Sequence, residues 1–273
     1  MSAVATHFAA LDWSVFAIAF VVIVVAAVAQ ASIGVGFGIV SAPILAILDP
    51  SLVPGPLLVL AVTTSAIVAV RDRRDFRLGN LGYALAGRVP ASLLGGLTAS
   101  LLSPRMFLLV FGLLVLMAVL LSLTGLRFAP TRRSLFGAGF ASGYMGTITS
   151  VGTPPMAIVY QHSPGAEVRA NMSAFLVVGG LVSILSLAFF GAFTWGDLLL
   201  SLKLLPALVI GTWLSRPLTR YMDGGWMRPA MLLLCAAAAA LLLIRALVGE
   251  VHEAAAGAAW EQPAPPAAAP APA

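Results

Sequence analysis

The chain has 273 residues, of which 60% are hydrophobic and only 9% charged, and its mean hydropathy is +1.03. Charged residues make up about a quarter of an ordinary soluble domain, so a soluble fold is excluded and the lipid bilayer is the expected surrounding. The formal net charge of +5 does not point to nucleic acid, because the basic residues are isolated arginines between apolar segments and not a patch interleaved with aromatics.

Apolar runs of about 20 residues, enough to cross a hydrocarbon core of about 30 Å, recur from residue 15 to about residue 245. Segment 1–13 contains no Lys or Arg, which argues against reading the run 15–28 and the following AVAQA as a signal peptide. Helices are expected near 14–33, 52–70, 78–102 and 104–124, with a short piece at 37–48. After a linker at 126–133, a second series follows: helices near 134–148, 166–191, 196–219 and 226–247, with a short piece at 153–160. The Pro/Ala-rich stretch 249–273 cannot form a packed core and reads as a disordered tail. The single cysteine, Cys235, has no partner for a disulfide or a metal site, and neither metal nor cofactor is expected.

The two series are copies of one unit, 14–125 and 134–248. A displacement of 112 residues lays Gly34 on Gly146, Ser41 on Thr153 and Pro43 on Pro155, and a small change of register lays Pro90 on Pro206 and Gly95 on Gly211. The loops 71–77, 127–133 and 216–228 hold most of the basic residues and 49–56 and 191–197 hold none, so the first three, the linker among them, are expected on the cytoplasmic side. That assignment holds if each short piece returns the chain to the side its preceding helix came from. Each copy then makes five passes, the second copy is upside down relative to the first, and both termini lie outside. With re-entrant hairpins instead, each copy would cross four times and 216–228 would land outside. The expected fold is an all-α polytopic membrane protein of two inverted repeats, about eight full spans plus two short broken helices, an arrangement that puts a substrate site near the midplane between the copies.

The breaks themselves are QASIGVGFGIVSAP, 30–43, and SGYMGTITSVGTPP, 142–155. Glycine permits backbone shapes that other residues resist, and proline removes a helical hydrogen bond, so Gly34, Gly36, Gly38 and Pro43 in the first and Gly146, Gly152 and Pro154 in the second predict an interrupted helix. Irregular backbone at membrane depth survives only where protein or a wet cavity satisfies it. The short helices start just past the breaks and would aim unpaired N–H groups and partial positive charge at the centre, where an anion binds readily. Ser41, Thr147, Thr149, Ser150 and Thr153 are candidate hydroxyl donors there, and Gln30 a candidate amide. The competing reading is that the small residues serve close packing and the hydroxyls bond to the preceding turn.

Two cations favour an anion. Arg88 is expected about ten residues, or about 15 Å, into its helix, which is mid-bilayer. Lys203 falls within one residue of it in the repeat alignment, each just before the matched proline. Charges at such depth face the bundle interior and mark a substrate path, with snorkelling as the alternative. Asp12, Asp49, Asp72, Asp75, Glu167, Asp197 and Asp223 all fall at helix ends or in loops, so neither a cation site nor a carboxylate relay is expected. His162, the one histidine outside the tails, reads as an interfacial loop residue.

IGVGFGIVSAPIL with DPSLVPGPLLVL in the first half, SGYMGTITSVGTPP with VRANMSAFLVVGGLVSI in the second, and the pairs Pro90/Gly95 and Pro206/Gly211 resemble the sulfite exporter TauE/SafE family of bacterial membrane permeases, over essentially 15–248. The resemblance implies an inner-membrane transporter of sulfite, sulfonates or other sulfur-containing and organic anions, not an enzyme. Such proteins commonly carry more consecutive glycines at the second break, where this chain has the hydroxyl-rich TITSVGTPP; that departure bears on substrate, not on fold. The expected partners are a small anion and the lipid bilayer, and a homodimer is compatible with the sequence. Two other functions have a partial motif in the chain. GFASG, 139–143, is similar to the nucleophile motif of intramembrane serine proteases, but His7, His162 and His252 lie in tails or at a helix end, away from a later span. TSVGT faintly resembles a carbonyl-lined channel filter, but one copy per chain does not make a fourfold ring.

Overall fold

A computed structural model describes residues 12–33, 36–76, 79, 81–123, 128–160, 165–222 and 240–241. Among them the chain is all-helical, with no strand. Helix α1, Trp13–Ile33, ends where the glycines of the first break begin. Gly36, at φ 122°, turns the chain into α2, Phe37–Leu48. Asp49 then accepts the Ser51 N–H at 2.8 Å and caps a short 3-10 turn, Pro50–Leu52. Helix α3, Gly55–Arg71, is followed by α4, Leu81–Leu101, and α5, Pro104–Leu123.

In the second half α6 spans Arg132–Thr149. It is started by a reciprocal cap, in which Thr131 Oγ1 accepts the Ser134 N–H at 3.2 Å and Ser134 Oγ accepts the Thr131 N–H at 2.9 Å. Helix α7, Thr153–Val159, has only seven residues, about 10 Å of rise. Helices α8, Gly165–Phe189, and α9, Trp195–Met222, complete the described chain. Nine of the ten expected pieces are therefore present among the described residues; the tenth, 226–247, lies almost wholly outside them, as do segment 1–11 and the tail.

Among the described residues four helices are long and apolar enough to cross a membrane, over Trp13–Ser32, Pro104–Leu123, Glu167–Phe189 and Trp195–Ser215. Helices α4 and α6 reach 21 and 18 residues but are diluted by glycine, serine and, in α4, Arg88. Those small residues are spent on each other. A Cβ at Gly139 would lie 2.7 Å from the Ala84 carbonyl carbon, and one at Gly143 would lie 2.6 Å from the Arg88 carbonyl oxygen, so α4 and α6 touch backbone to backbone. Gly211 of α9 meets α1 in the same way: a Cβ there would lie 3.1 Å from the Val24 carbonyl carbon and 2.8 Å from Ala27 Cβ.

The pairing of helices repeats between the halves. Helix α4 lies along α6, and α1 along α9; α3 and α8 pack on each other in the middle, flanked by α9 and α4 respectively. The first helix of each half thus rests on the fourth helical piece of the other half, and the halves interleave. Large apolar side chains such as Trp13 (85% exposed) and Phe189 (81%) cover the outside, the expected dress of a lipid-facing surface. Inside, one apolar cluster gathers Phe37, Leu57, Phe111, Met145 and Leu204, and a second gathers Leu81, Met156, Met172 and Phe175.

Candidate functional site

At the first break Gln30, one turn before the end of α1 and 1% exposed, accepts the Phe37 N–H through Oε1 at 3.2 Å. It therefore caps α2 across the break, meeting one of the donors left orphaned at a helix start. At the second break Ser150 takes the left-handed conformation, φ 61°, and ends α6. Thr149 Oγ1 accepts the Val151 N–H at 3.1 Å while donating to the Met145 carbonyl at 2.7 Å. Ser142 Oγ donates to the Gly152 carbonyl, tying the far side of the break to the body of α6. Pro154 and Pro155 occupy the second and third positions of α7 and lack N–H groups, so this helix start offers fewer donors than an ordinary one.

The two breaks meet. A Cβ at Gly38 would overlap the Ser150 carbonyl oxygen and lie 3.2 Å from Val151 Cα, so only glycine lets the start of α2 rest on the second break. Beside this junction is a cavity of about 30 Å³. Gln30, Phe37 and Gly38 line it from the first break, and Gly146, Ser150, Gly152 and Thr153 from the second. Helix α3 adds Leu58, Ala61, Val62 and Ser65, α8 adds Leu176 and Gly180, and α4 adds Arg88. That volume has room for one or two waters or a compact ion.

Arg88 is 2% exposed. Its Nη1 donates to Ser142 Oγ at 2.8 Å, its Cζ stands 4.6 Å from the Phe175 ring centroid, and its Nε is buried with no hydrogen-bond partner. Gly179 of α8 makes space for it, since a Cβ there would overlap Cδ and Nε of the arginine. A Cβ at Gly146 would stand 3.3 Å from Nη2 and one at Gly152 3.3 Å from Nη1, so the guanidinium lies directly against the second break. Among the described residues the ion pairs join Arg71 and Arg169 to Asp72, and none reaches Arg88. A buried cation held by a hydroxyl and an aromatic face, and lining a cavity, has the charge and the free donors to meet an anion.

Seven of the residues expected from the sequence therefore surround one cavity: Gln30, Gly38, Arg88, Gly146, Ser150, Gly152 and Thr153. Six further candidates on the two breaks and their helices do not line it. Ser41 donates to the Phe37 carbonyl at 2.5 Å, and Thr147 to the Gly143 carbonyl at 2.8 Å, both along their own helices. Gly36, Pro43, Thr149 and Pro154 shape the breaks, Gly36 as the cap of α2 and Pro43 buried inside it. Gly34, His162, Asp223 and Cys235 lie outside the described residues.

Lys203 is half-buried on α9 and does not line the cavity. The pairing of Pro90 with Pro206 sets Leu204, 1% exposed, against Arg88, and the neighbouring residue is turned about 100° around the helix. Sequence reasoning missed the α3 and α8 walls and the seat of Arg88. Ser142, noted only for its likeness to a protease nucleophile, holds the arginine and the break instead.

At the end of α3, Asp72 accepts from Arg71 Nε at 2.7 Å and from Arg169 Nε of α8 at 3.2 Å, while Arg71 Nη2 reaches the Ala31 carbonyl of α1 at 2.9 Å. Burial pushes the Asp72 carboxyl up, but the hydrogen bonds and charges of Arg71 and Arg169 outweigh it and hold the group below its usual value of 3.8.

The family model described as Sulfite exporter TauE/SafE matches residues 18–242. No curated protein and no solved structure matches the chain.

Proposed function

The chain belongs to the sulfite exporter TauE/SafE family, and from that premise we propose that it carries a small anion, sulfite or an organosulfur or organic anion, across the bacterial inner membrane through the cavity where the two breaks meet. It is an integral multi-pass membrane protein of a permease family. The single observation that carries the substrate reading is Arg88: a buried guanidinium on the cavity wall, with no carboxylate beside it among the described residues. A carboxylate there would signal a cation site or a proton relay; its lack leaves the positive charge to be balanced by what enters. Ser142 is engaged by Arg88 and the Gly152 carbonyl, which does not favour a nucleophile awaiting a base.

The two copies are inverted repeats, with the basic loops cytoplasmic and both termini outside; the matching pairs of helices support this reading. Alternating access here rests on how the helices pair, since those of the two copies interleave. The units that move by alternating access are α1, α2, α3 and α9 on one side and α4, α6, α7 and α8 on the other. The first contributes Phe37, Gly38 and Ser65 to the cavity and the second Arg88, Gly146 and Thr153.

The test is sulfite uptake into proteoliposomes containing the purified protein. Arg88→Ala is expected to reduce uptake to the level of protein-free liposomes, and Lys203→Ala to leave it near wild type. Wild-type uptake by the Arg88 variant would overturn the assignment.

A further inference from the structure

Resting on the carrier reading above, we infer that the site is matched to a singly charged anion, so that sulfite crosses as hydrogen sulfite and doubly charged anions of the same size are refused. The argument counts charges and donors around the cavity. Arg88 supplies one positive charge, 2% exposed, and its protein partners Ser142 and Phe175 are both neutral.

The partial charges at the helix starts add little. The Phe37 N–H of α2 is already taken by Gln30 Oε1, and two of the first three residues of α7, Pro154 and Pro155, have no N–H to give. Most hydroxyls near the breaks are likewise committed, Ser41, Thr147 and Thr149 to carbonyls of their own helices. Arg88 with Ser65 and Thr153 at the cavity wall leaves one charge and a few neutral donors, the complement of a three-oxygen monoanion.

Among the described residues Arg88 is the one titratable side chain that lines the cavity; on α9, which packs on α3, Asp197 lies beside Gly55 and Lys203 does not line it. Helix α6 carries Arg132 and Arg133 in its first turn and Tyr144, whose hydroxyl donates to Thr98 Oγ1 at 3.4 Å. Helix α8 carries Glu167 and Arg169 in its first turns, and α3 ends at Arg71; both arginines pair with Asp72. Tyr83 on α4 lies under Arg132, and Tyr160 after α7 sits in the apolar cluster of Met156 and Phe175. Helices α1 and α2 contribute none within their spans. A second negative charge entering this cavity would have no partner, and an unpaired charge in a low-dielectric interior costs several kcal/mol after relaxation.

Methanesulfonate and sulfate test this, because they are nearly the same size and shape, differ by one charge, and do not titrate near neutrality. Each is added outside proteoliposomes taking up labelled sulfite. Methanesulfonate is expected to compete, and sulfate to compete at least about a hundredfold more weakly, which is about 2.8 kcal/mol at 1.4 kcal/mol per tenfold. At constant total sulfite, uptake is expected to fall as pH rises through the second ionisation of sulfite, while uptake of labelled methanesulfonate stays level. Arg88→Lys, which keeps the charge, should keep the preference at lower affinity. Equal competition by the two anions, sulfite uptake that rises with its dianion, or loss of the preference in Arg88→Lys would overturn the inference and leave the carrier reading standing. Failure of sulfite and methanesulfonate alike to move would remove the carrier reading and the inference with it.

Discussion

Replacing Gly179 by alanine asks whether the position of Arg88, and not only its presence, matters. The new Cβ would overlap Arg88 Cδ and Nε, atoms of a flexible side chain and not of the neighbouring backbone, so α8 and α4 need not separate and the arginine yields. Yielding costs it the 2.8 Å bond to Ser142, about 1.5–3 kcal/mol for a hydrogen bond to a charged group. It also costs the contact with Phe175, about 2 kcal/mol for a desolvated cation–π pair. Alanine in the helix returns about 1 kcal/mol over glycine. The expected net destabilisation is about 3 kcal/mol, and sulfite flux should fall tenfold or more, because the guanidinium no longer faces the cavity from its seat. Flux in proteoliposomes and thermal unfolding in detergent measure the two effects. The decisive comparison is the same substitution in an Arg88→Ala background, where nothing remains to displace. There Gly179→Ala should stabilise by about 1 kcal/mol and change flux no further, a strongly non-additive pair. Wild-type flux in the single variant, or an unchanged destabilisation in the double variant, would refute the seat.

Two other expectations use the same measurements. Ser41→Ala should leave flux within about twofold, since its hydroxyl donates to its own helix, whereas Thr153→Ala and Ser65→Ala at the cavity wall should each lower it about fivefold, the worth of one neutral hydrogen bond of about 1 kcal/mol; equal effects in all three would mean that the hydroxyls are not sorted as described. Asp72 is held below its usual 3.8, so its pairing with Arg71 and Arg169 stabilises the fold above the ordinary carboxylate range and is lost as pH falls through the lowered value. Asp72→Asn should therefore unfold more easily than wild type at pH 7, by at most about 1 kcal/mol for a partly exposed pair, with the gap closing in strong acid.

What could be read in advance was what local chemistry decides. Proline lacks an N–H and glycine lacks a Cβ wherever they stand, so the interruptions near Gly36 and Gly152 were visible in the residues themselves. Arg88 was visible because an arginine inside an apolar run has to face inward. Ser142, Phe175 and Gly179 were not, because their task exists only once α6 and α8 lie against α4. Nothing local marks a phenylalanine as the floor under a cation. The hydroxyls divided for a similar reason: whether Ser41 or Thr153 turns to its own helix or to the cavity depends on helix phase. Lys203 shows the sharpest case, as an alignment good to one residue is an error of about 100° around a helix.

The interleaved packing explains why cation and break work as a unit. Gly139 and Gly143 bring the backbone of α6 onto that of α4, and such a contact has no side-chain layer to slide on. Arg88 on α4, Ser142 on α6 and the Gly152 carbonyl beyond the break are therefore fixed relative to one another, through the bonds of Ser142 to both neighbours. Across the cavity the two sides meet through side chains and loops: α3 packs on α8 with Val62 against Gly180, Gly38 rests on Ser150 and Val151, and Ser150 Oγ donates to the Pro54 carbonyl at 3.3 Å. On the proposed carrier function, an ion bound there touches both sides. Its charge is met by the side that holds Arg88, and its remaining surface by Phe37, Gly38 and Ser65 on the other, so the interaction that binds it also draws the two sides together.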